Sequence, residues 1–444
     1  MKELRLQDLE IGDLVKLISA DIPAGSDRYT TSYMLPEAVG EVVYSTKEMG
    51  RGEVQLDIFS PENGDFTRTG FVGDPAAVFV KLYDTELTTA ISRAREVRIL
   101  ARIRKGSFRL GSDPEIFAVD ENGVVIPAWT FLGSNKPLGY EQPFWDGFQA
   151  EFTIAPEICL GWTIDGLRRG MQNTLAAARV LNPKARLTSA SVLDVPQAMM
   201  LAASQEHTQL GCAPSVNIYE DARGIMVPDP RELSCRFSGC HIHLGIGRTD
   251  PPTTSRVIKA LDAIYGIASV AMFRGLEDTR RRKFYGMCGE YRTPAHGLEY
   301  RVPSSILLCH PAVTNLAFDL ARCVAQMALN KQAHVWTVRG GDRRVQDIVN
   351  GYDVNGAMEV LKENDRVLEA ILRAIYYTGT TGTKTAKAFI LNGVKEFVPT
   401  DDIEESWGLA APTPLTYKRQ TDPRWIGHSD GPNKNIAKFV LKEG

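Results

Sequence analysis

Residues 239–245 read GCHIHLG, and residues 111–117 read GSDPEIF. In an extended strand, side chains two positions apart share a face. His241 and His243 would therefore project together, and so would Asp113 and Glu115. Glu299 and Arg301 repeat the format in GLEYR, and Glu151 stands in DGFQAEF after a turn predicted at Asp146–Gly147. A lone HxH is more often structural than metal-binding, and a lone ExR pair is usually a surface ion pair. Four predicted strands carrying such groups where a core face is expected are harder to dismiss. Carboxylates gathered on one face repel one another and lose hydration, so something cationic must hold them. Oxygen ligands with one imidazole suit Mg2+ or Mn2+. Metal held by carboxylates beside arginines is the usual equipment of phosphoryl transfer. The arginines follow in RRRK (280–283) and YGMCGEYR (285–292). A basic run is by default a solvated face. Here Arg280, Arg282, Lys283, Arg292 and Arg301 are candidates for phosphate or carboxylate binding. Arg292 and Arg301 come first, because planar guanidinium forks match those oxygens.

The elements that must position these groups are short. A strand over GSDPEIFAVD, a turn at Glu121–Gly123 and VVIPAW read as a hairpin. FQAEFTIA and GCHIHLGIG are further strands, and Gly239 and Gly245 would let backbone or ligand approach closely. Apolar periodicity predicts helices over 163–181, 254–274, 311–330 and 354–377. TGTTGTK at 378–384 has the composition of a phosphate loop but follows a helix, so it reads as a flexible loop; no Walker or Rossmann loop occurs. Ahead of this α+β region, residues 1–84 carry short β-rich runs that fit a small SH3-like barrel, used either for docking to a partner or for packing. Residues 85–105 predict a linker helix whose arginines form a solvated face. Residues 106–380 form the main domain. Residues 381–444 are a C-terminal extension that wraps back on the core or reaches a neighbouring subunit.

Composition bounds the rest. A chain of 444 residues suggests two or three domains. A hydrophobic share of 43% and a net charge of −3 fit a globular protein with no general signal for nucleic acid. No apolar run approaches the ~18 residues of a membrane span, and MKELRLQDLEIGD lacks the apolar core of a signal peptide, so a cytoplasmic location is expected. Seven scattered cysteines form no CxxC pair and are expected as free thiols. Cys240 abuts His241, but strand neighbours face opposite sides, which argues against a dyad. His207, His296, His310, His334 and His428 have no partner in the pattern and read as structural. Asp146 and Glu206 are candidates for a base or a further ligand, with surface or capping roles preferred.

The order of these pieces resembles the glutamine synthetase / γ-glutamylcysteine ligase superfamily. More narrowly, GSDPEIF, DGFQAEF, GCAPSVN, GCHIHLG, YGMCGEYR and GLEYRVPSS resemble the phage-encoded carboxylate–amine ligase family, type 2, over residues 106–310. The resemblance implies a curved, mostly antiparallel sheet with helices on its outer face and with metals and nucleotide on its concave face. It implies ATP and Mg2+ or Mn2+, activation of a carboxylate as an acyl phosphate, and attack by an amine to give an amide. By position, Asp113, Glu115, Glu151, His241 and Glu299 would hold metal. His243 would face the ATP phosphates, and Arg301 the acyl phosphate or γ-phosphate. Arg292 would take a substrate carboxylate or phosphate. The first position is Asp113 where the superfamily usually has Glu, which alters metal geometry there. Acid and amine would be small molecules or groups carried on a protein, with residues 1–84 open to a macromolecular partner. Relatives of this kind form rings or dimers, so a homo-oligomer is implied, in the host cytoplasm if the chain is phage-encoded. Two rival classes remain: another metal-dependent phosphoryl-transfer or hydrolytic enzyme on the same sheet, and a non-catalytic phage structural or binding protein.

Overall fold

The structure is a computed structural model. It describes the backbone of six strands within residues 1–81, and residues 108–208, 215–220, 233–375, 380–398 and 402–410. The chain divides into two units, Met1–Arg102 and Ile103–Gly444.

In the first unit, β1 (Glu3–Leu4), β2 (Leu14–Ser19), β3 (Val39–Ser45), β4 (Val54–Ser60), β5 (Asp65–Val72) and β6 (Val78–Lys81) pair antiparallel in the order β1-β6-β2-β3-β4-β5. Among the described residues this is an open path, with no pairing between β1 and β5. The β-rich reading of this region holds, but closure into an SH3-like barrel is not part of the pairing. The linker helix expected over 85–105 lies outside the described residues.

The second unit is α+β, with antiparallel sheets. Its long central strand, β7 (Arg109–Val119), pairs at its second half with β8 (Val125–Ile126) across the expected turn, where Gly123 takes φ 80°. β9 (Phe144–Asp146) and β10 (Gln149–Glu151) form a hairpin with Asp146 opposite Gln149. Its two-residue loop starts at Gly147, whose φ of 59° is the left-handed value that such tight turns need. β11 (Arg186–Thr188) also joins β7, and β12 (Val192–Asp194) pairs with β14 (Cys235–Phe237). With β13 (Val216–Asn217), β15 (Cys240–Gly245), β16 (Glu290–Arg292) and β17 (Leu298–Tyr300), the main path runs β13-β16-β17-β15-β7-β10-β9.

Helices cover one face of this sheet. α1 (Leu160–Leu181) packs on β7. Gly170 permits the approach: a Cβ there would fall 2.1 Å from the ring of fully buried Phe152. α2 (Pro251–Ala260) is capped by Asp250 and runs through a π-helical stretch, Leu261–Gly266, into α3 (Ile267–Met272). α4 (Pro311–Leu329) is buried on nearly every side and packs against α1, α2 and β15. His310 caps it by accepting the Ala312 N–H at 3.0 Å, and burial pushes its pKa down to about 4, so it does its capping as a neutral ring. The helix expected over 354–377 is two helices, Val354–Glu363 and Asp365–Ile375. The loop expected at 378–384 is corrected from Thr380 onward, where a helix, Thr380–Asn392, begins. Residues 402–410 fold back on the core: Trp407 donates to the Leu308 carbonyl at 2.6 Å, and Gln172 to that of Leu409 at 2.9 Å. The rest of the C-terminal extension lies outside the described residues. No helix among the described residues is long and apolar enough to cross a membrane.

Candidate metal and phosphate site

The register of the sheet decides which side chains meet. His241 lies opposite Asp113 on β7, His243 opposite Glu299 on β17, Glu299 opposite Arg292 on β16, and Glu151 on β10 opposite Glu115. Because alternation holds along each strand, these residues share the face away from the helices. Their neighbours Ile242 and Tyr300 are fully buried on the other face. The Tyr300 hydroxyl donates to Asp262 of the π-helical stretch at 2.9 Å, which fixes β17 against the helix layer.

Two groups of ligand atoms form on the open face. Asp113, His243 and Glu299 make one; Glu115, Asp146 and Glu151 make the other. Within each, the candidate atoms lie within 4.8 Å of one another. Asp146, at the β9–β10 turn, is thus a member of the acidic set rather than a surface or capping residue. Glu206 bonds Asn135 at 3.0 Å on the exposed surface.

The electrostatics are those of anions pressed together. Burial, then the charge of Glu115, push the Asp146 carboxyl up to about 7 against the pull of Arg301 and Arg292. Burial, then Asp113, Asp146 and Glu115, raise Glu151 well above the usual range. Burial also works to raise Asp113, but His241 and His243 together outweigh it and hold that carboxyl low. Burial works to lower His243, yet Asp113 and Glu299 carry it upward. Among the buried polar atoms here, Asp146 Oδ2 has no hydrogen-bond partner, and His243 Nε2 lies 3.2 Å from Asp113 Oδ1. Carboxylates that otherwise hold protons, with an orphaned carboxylate oxygen among them, fit a hard divalent cation, which would displace those protons.

The two groups are connected. His241 Nδ1 lies 3.0 Å from Asp113 Oδ1 and 3.6 Å from Glu299. Its Nε2 lies 2.6 Å from the Tyr285 hydroxyl, which donates to Glu115 Oε1 at 2.8 Å and accepts from Arg301 at 3.2 Å. Gly239 makes room: a Cβ there would sit 2.6 Å from His241 Nε2, and its N–H donates to Glu115 at 2.5 Å. Gly245 admits the Arg109 carbonyl of β7, which a Cβ would meet at 3.0 Å.

Of the expected cations, Arg292 is partly exposed and lies 3.5 Å from Glu299. Arg301 is fully buried and paired with Glu299, facing that carboxylate and Tyr285 rather than open surface. The basic run is engaged elsewhere. Arg280 pairs at the surface with Asp194 and Asp278, at 2.7 and 2.8 Å. Arg282 is buried and donates to the carbonyls of Gly286 and Val302, and Arg281 to those of Val302 and Pro303. Lys283 is exposed. The physical reason is local: Arg281–Lys283 is a 3-10 turn, which sends successive side chains in different directions.

The pattern-based reading missed Tyr285 and His296. Tyr285 sits in a loop with no periodicity, though it opens the quoted YGMCGEYR. His296 was expected to be unpartnered, but its Nε2 meets His243 Nδ1 at 2.9 Å. Cys240 is buried beside Ser112, with burial pushing its thiol up to about 12, as befits a core thiol. The six described cysteines are free.

Residues 233–409 match the family model described as Phage phiEco32-like COOH.NH2 ligase-type 2. The resemblance read from the motifs is shown by this match, over less than half of the chain. The matched stretch holds His241, His243, Tyr285, Arg292, Glu299 and Arg301; Asp113, Glu115, Asp146 and Glu151 precede it. No curated protein matches the chain. Solved structures with similarity include a bifunctional glutathione synthetase from Pasteurella multocida, at 10% identity and a TM-score of 0.36, over 79% of this chain and 53% of that one. The chain thus spans about half the length of that protein. A GmaS/ADP complex is similar at 13% identity and a TM-score of 0.34, over 74% of this chain and 76% of that one.

Proposed function

We propose, with the match of residues 233–409 to a carboxylate–amine ligase family as the premise, that this protein is an ATP-dependent ligase. It joins a carboxylate to an amine through an acyl phosphate at a divalent-metal site. The observation that carries the reading is the convergence of Asp113, Glu115, Asp146, Glu151, His243 and Glu299 on one sheet face, with Arg292 at its edge.

The chemistry asks for this set. A carboxylate is a poor electrophile, and phosphorylation gives it a leaving group. Divalent cations, held by the two carboxylate groups, would neutralise phosphoryl oxygens as charge moves between them. Arg292, half-exposed beside Glu299, is the guanidinium placed to take a phosphate or carboxylate. Arg301, fully buried and paired with Glu299, holds that carboxylate in place. The acid and amine are proposed to be small molecules or groups on a protein. Residues 1–84 are the proposed seat of a macromolecular partner, and the active form is proposed to be a homo-oligomer.

Hydroxylamine serves as a surrogate amine for the test. The full chain is incubated with ATP, Mg2+ or Mn2+, hydroxylamine and a panel of carboxylic acids, and hydroxamate and ADP are measured. The expected result is cation-dependent hydroxamate in equal amount to ADP for at least one class of acid. ADP formed without hydroxamate for every acid, or no ADP at all, contradicts the reading.

A further inference from the structure

We propose that Asp262, buried in the helix layer, is a positioning residue for the site on the opposite face of the sheet. Through Tyr300 and the turn at Gly289 it fixes where β16 and β17 carry Arg292, Glu299 and Arg301. The inference rests on the ligase reading above and adds to it a residue that faces away from substrate and cation.

The strands at this edge are too short to fix themselves. β13 has two residues, and β16 and β17 have three each. Their ladders supply few hydrogen bonds, and a slip of one residue would turn every side chain to the other face. The helix layer supplies the missing restraint. Tyr300 stands between Glu299 and Arg301 and points into that layer, where the π-helical stretch closes on it from three positions. Asp262 accepts its hydroxyl proton at 2.9 Å. The Tyr265 ring meets its ring edge-on, with centroids 5.8 Å apart. Gly266 leaves it space, since a Cβ there would lie 3.5 Å from the Tyr300 oxygen. Asp262 and Tyr300 are both 0% exposed. π-helical turns are rare and are found mostly at functional sites.

The same carboxyl reaches the next two strands. The N–H of Gly289, the residue before β16, is hydrogen-bonded to it, and Tyr219 and Cys288 also act on it. Gly289 takes φ 90°, and a Cβ there would fall 2.5 Å from Asn217 Oδ1 and 2.6 Å from the Tyr219 ring. Asn217 of β13 donates to the Cys288 carbonyl at 2.9 Å, and Asn350 accepts the Cys288 N–H at 2.7 Å. One buried acid thus sits at the junction of β13, β16 and β17. Burial pushes its pKa up to about 7, against the pull of Tyr300 and the Gly289 N–H. Apolar side chains of similar volume often replace such a buried polar pair without loss of stability. The acid and the hydroxyl therefore point to a task of direction rather than of packing.

The test compares Tyr300→Phe, Asp262→Leu and Asp262→Asn in the full chain, with circular dichroism to check each fold. Tyr300→Phe removes only the hydroxyl, Asp262→Leu removes the acceptor, and Asp262→Asn keeps an oxygen to receive the Tyr300 proton. In the hydroxamate assay, Tyr300→Phe and Asp262→Leu should each lower kcat about 100-fold with KM for ATP little changed, the loss that a 1 Å misplacement brings. Asp262→Asn should recover most of that loss. The double variant Tyr300→Phe/Asp262→Leu should lose no more than either single one, because the two groups make one contact. Hydrogen exchange gives a reading that does not need activity. In Tyr300→Phe the N–H groups of residues 290–292 and 298–301 should exchange faster, while those of 240–245 stay as protected as in the wild type. Unchanged kcat in folded Tyr300→Phe, or a rise in exchange spread evenly over the sheet, overturns the inference and leaves Asp262 a packing residue. If Asp262→Leu does not fold, Tyr300→Phe decides alone. A wild type that forms no ADP overturns the ligase reading, and exchange in Tyr300→Phe then decides whether Asp262 holds these strands.

Discussion

Glu299 stands between Arg301, Arg292 and the ring of His241, at 4% exposure. Its substitution therefore tests two things, and the choice of residue separates them. Glu299→Ala strands Arg301, which is 0% exposed, and breaking a buried pair costs about 3–5 kcal/mol. Glu299→Gln keeps an acceptor oxygen and most of the fold, but should lower cation-dependent ADP formation at least about 100-fold by removing a charge from the proposed metal site. Urea unfolding and ADP release, measured on both variants, check this. Asp146 gives the pH dependence. Its folded pKa of about 7 lies above the ordinary 3.8. The stability that its protonated form contributes is therefore fully present below about pH 4 and is lost as pH rises through 7. A cation bound at the proposed site would replace the proton, so the rise in Tm on adding Mg2+ or Mn2+ should be larger at pH 8 than at pH 5. Cation affinity should climb by at most about tenfold per pH unit for each proton displaced. A Tm gain that is flat or falling with pH contradicts this account.

Elements bring these residues together, and their legibility varied for physical reasons. Alternation is local, so GCHIHLG, GSDPEIF and GLEYR announced their shared faces, and the long helices announced their apolar stripes. Register is not local: nothing in the residues says that His243 lies opposite Glu299 while His241 lies opposite Asp113. Tyr285 and His296 act from loops, where no period marks them, and Asp146 is set by a two-residue turn whose strands are only three residues long. The run at 280–283 misled because a 3-10 turn scatters side chains that look clustered in one dimension. Packing between elements also reverses a common expectation. Replacing a mid-helix glycine by alanine ordinarily stabilises by about 0.5–1 kcal/mol. In α1, Gly170→Ala should destabilise by about 1–3 kcal/mol instead, because its Cβ would enter the Phe152 ring and push the helix off the sheet. A shift of the urea midpoint to lower concentration, with unchanged slope, is the expected reading; a shift to higher concentration contradicts it.

At the scale of the whole molecule, every residue assigned to the site lies in the unit that begins at Ile103. A chain starting there should still form hydroxamate from small acids, while binding of a macromolecular substrate should weaken. Loss of all activity on small acids, in a chain that circular dichroism shows to be folded, would place residues 1–102 within the catalytic machinery. The family match begins at residue 233, beyond Asp113 and Glu151, so the earlier strands enter the site through the sheet rather than through the matched stretch. The most direct measurement is anomalous X-ray diffraction from crystals of the full chain grown with Mn2+ and ADP. The account predicts Mn2+ peaks between Asp113, His243 and Glu299 and between Glu115, Asp146 and Glu151. Peaks elsewhere, or none on this face, would contradict it.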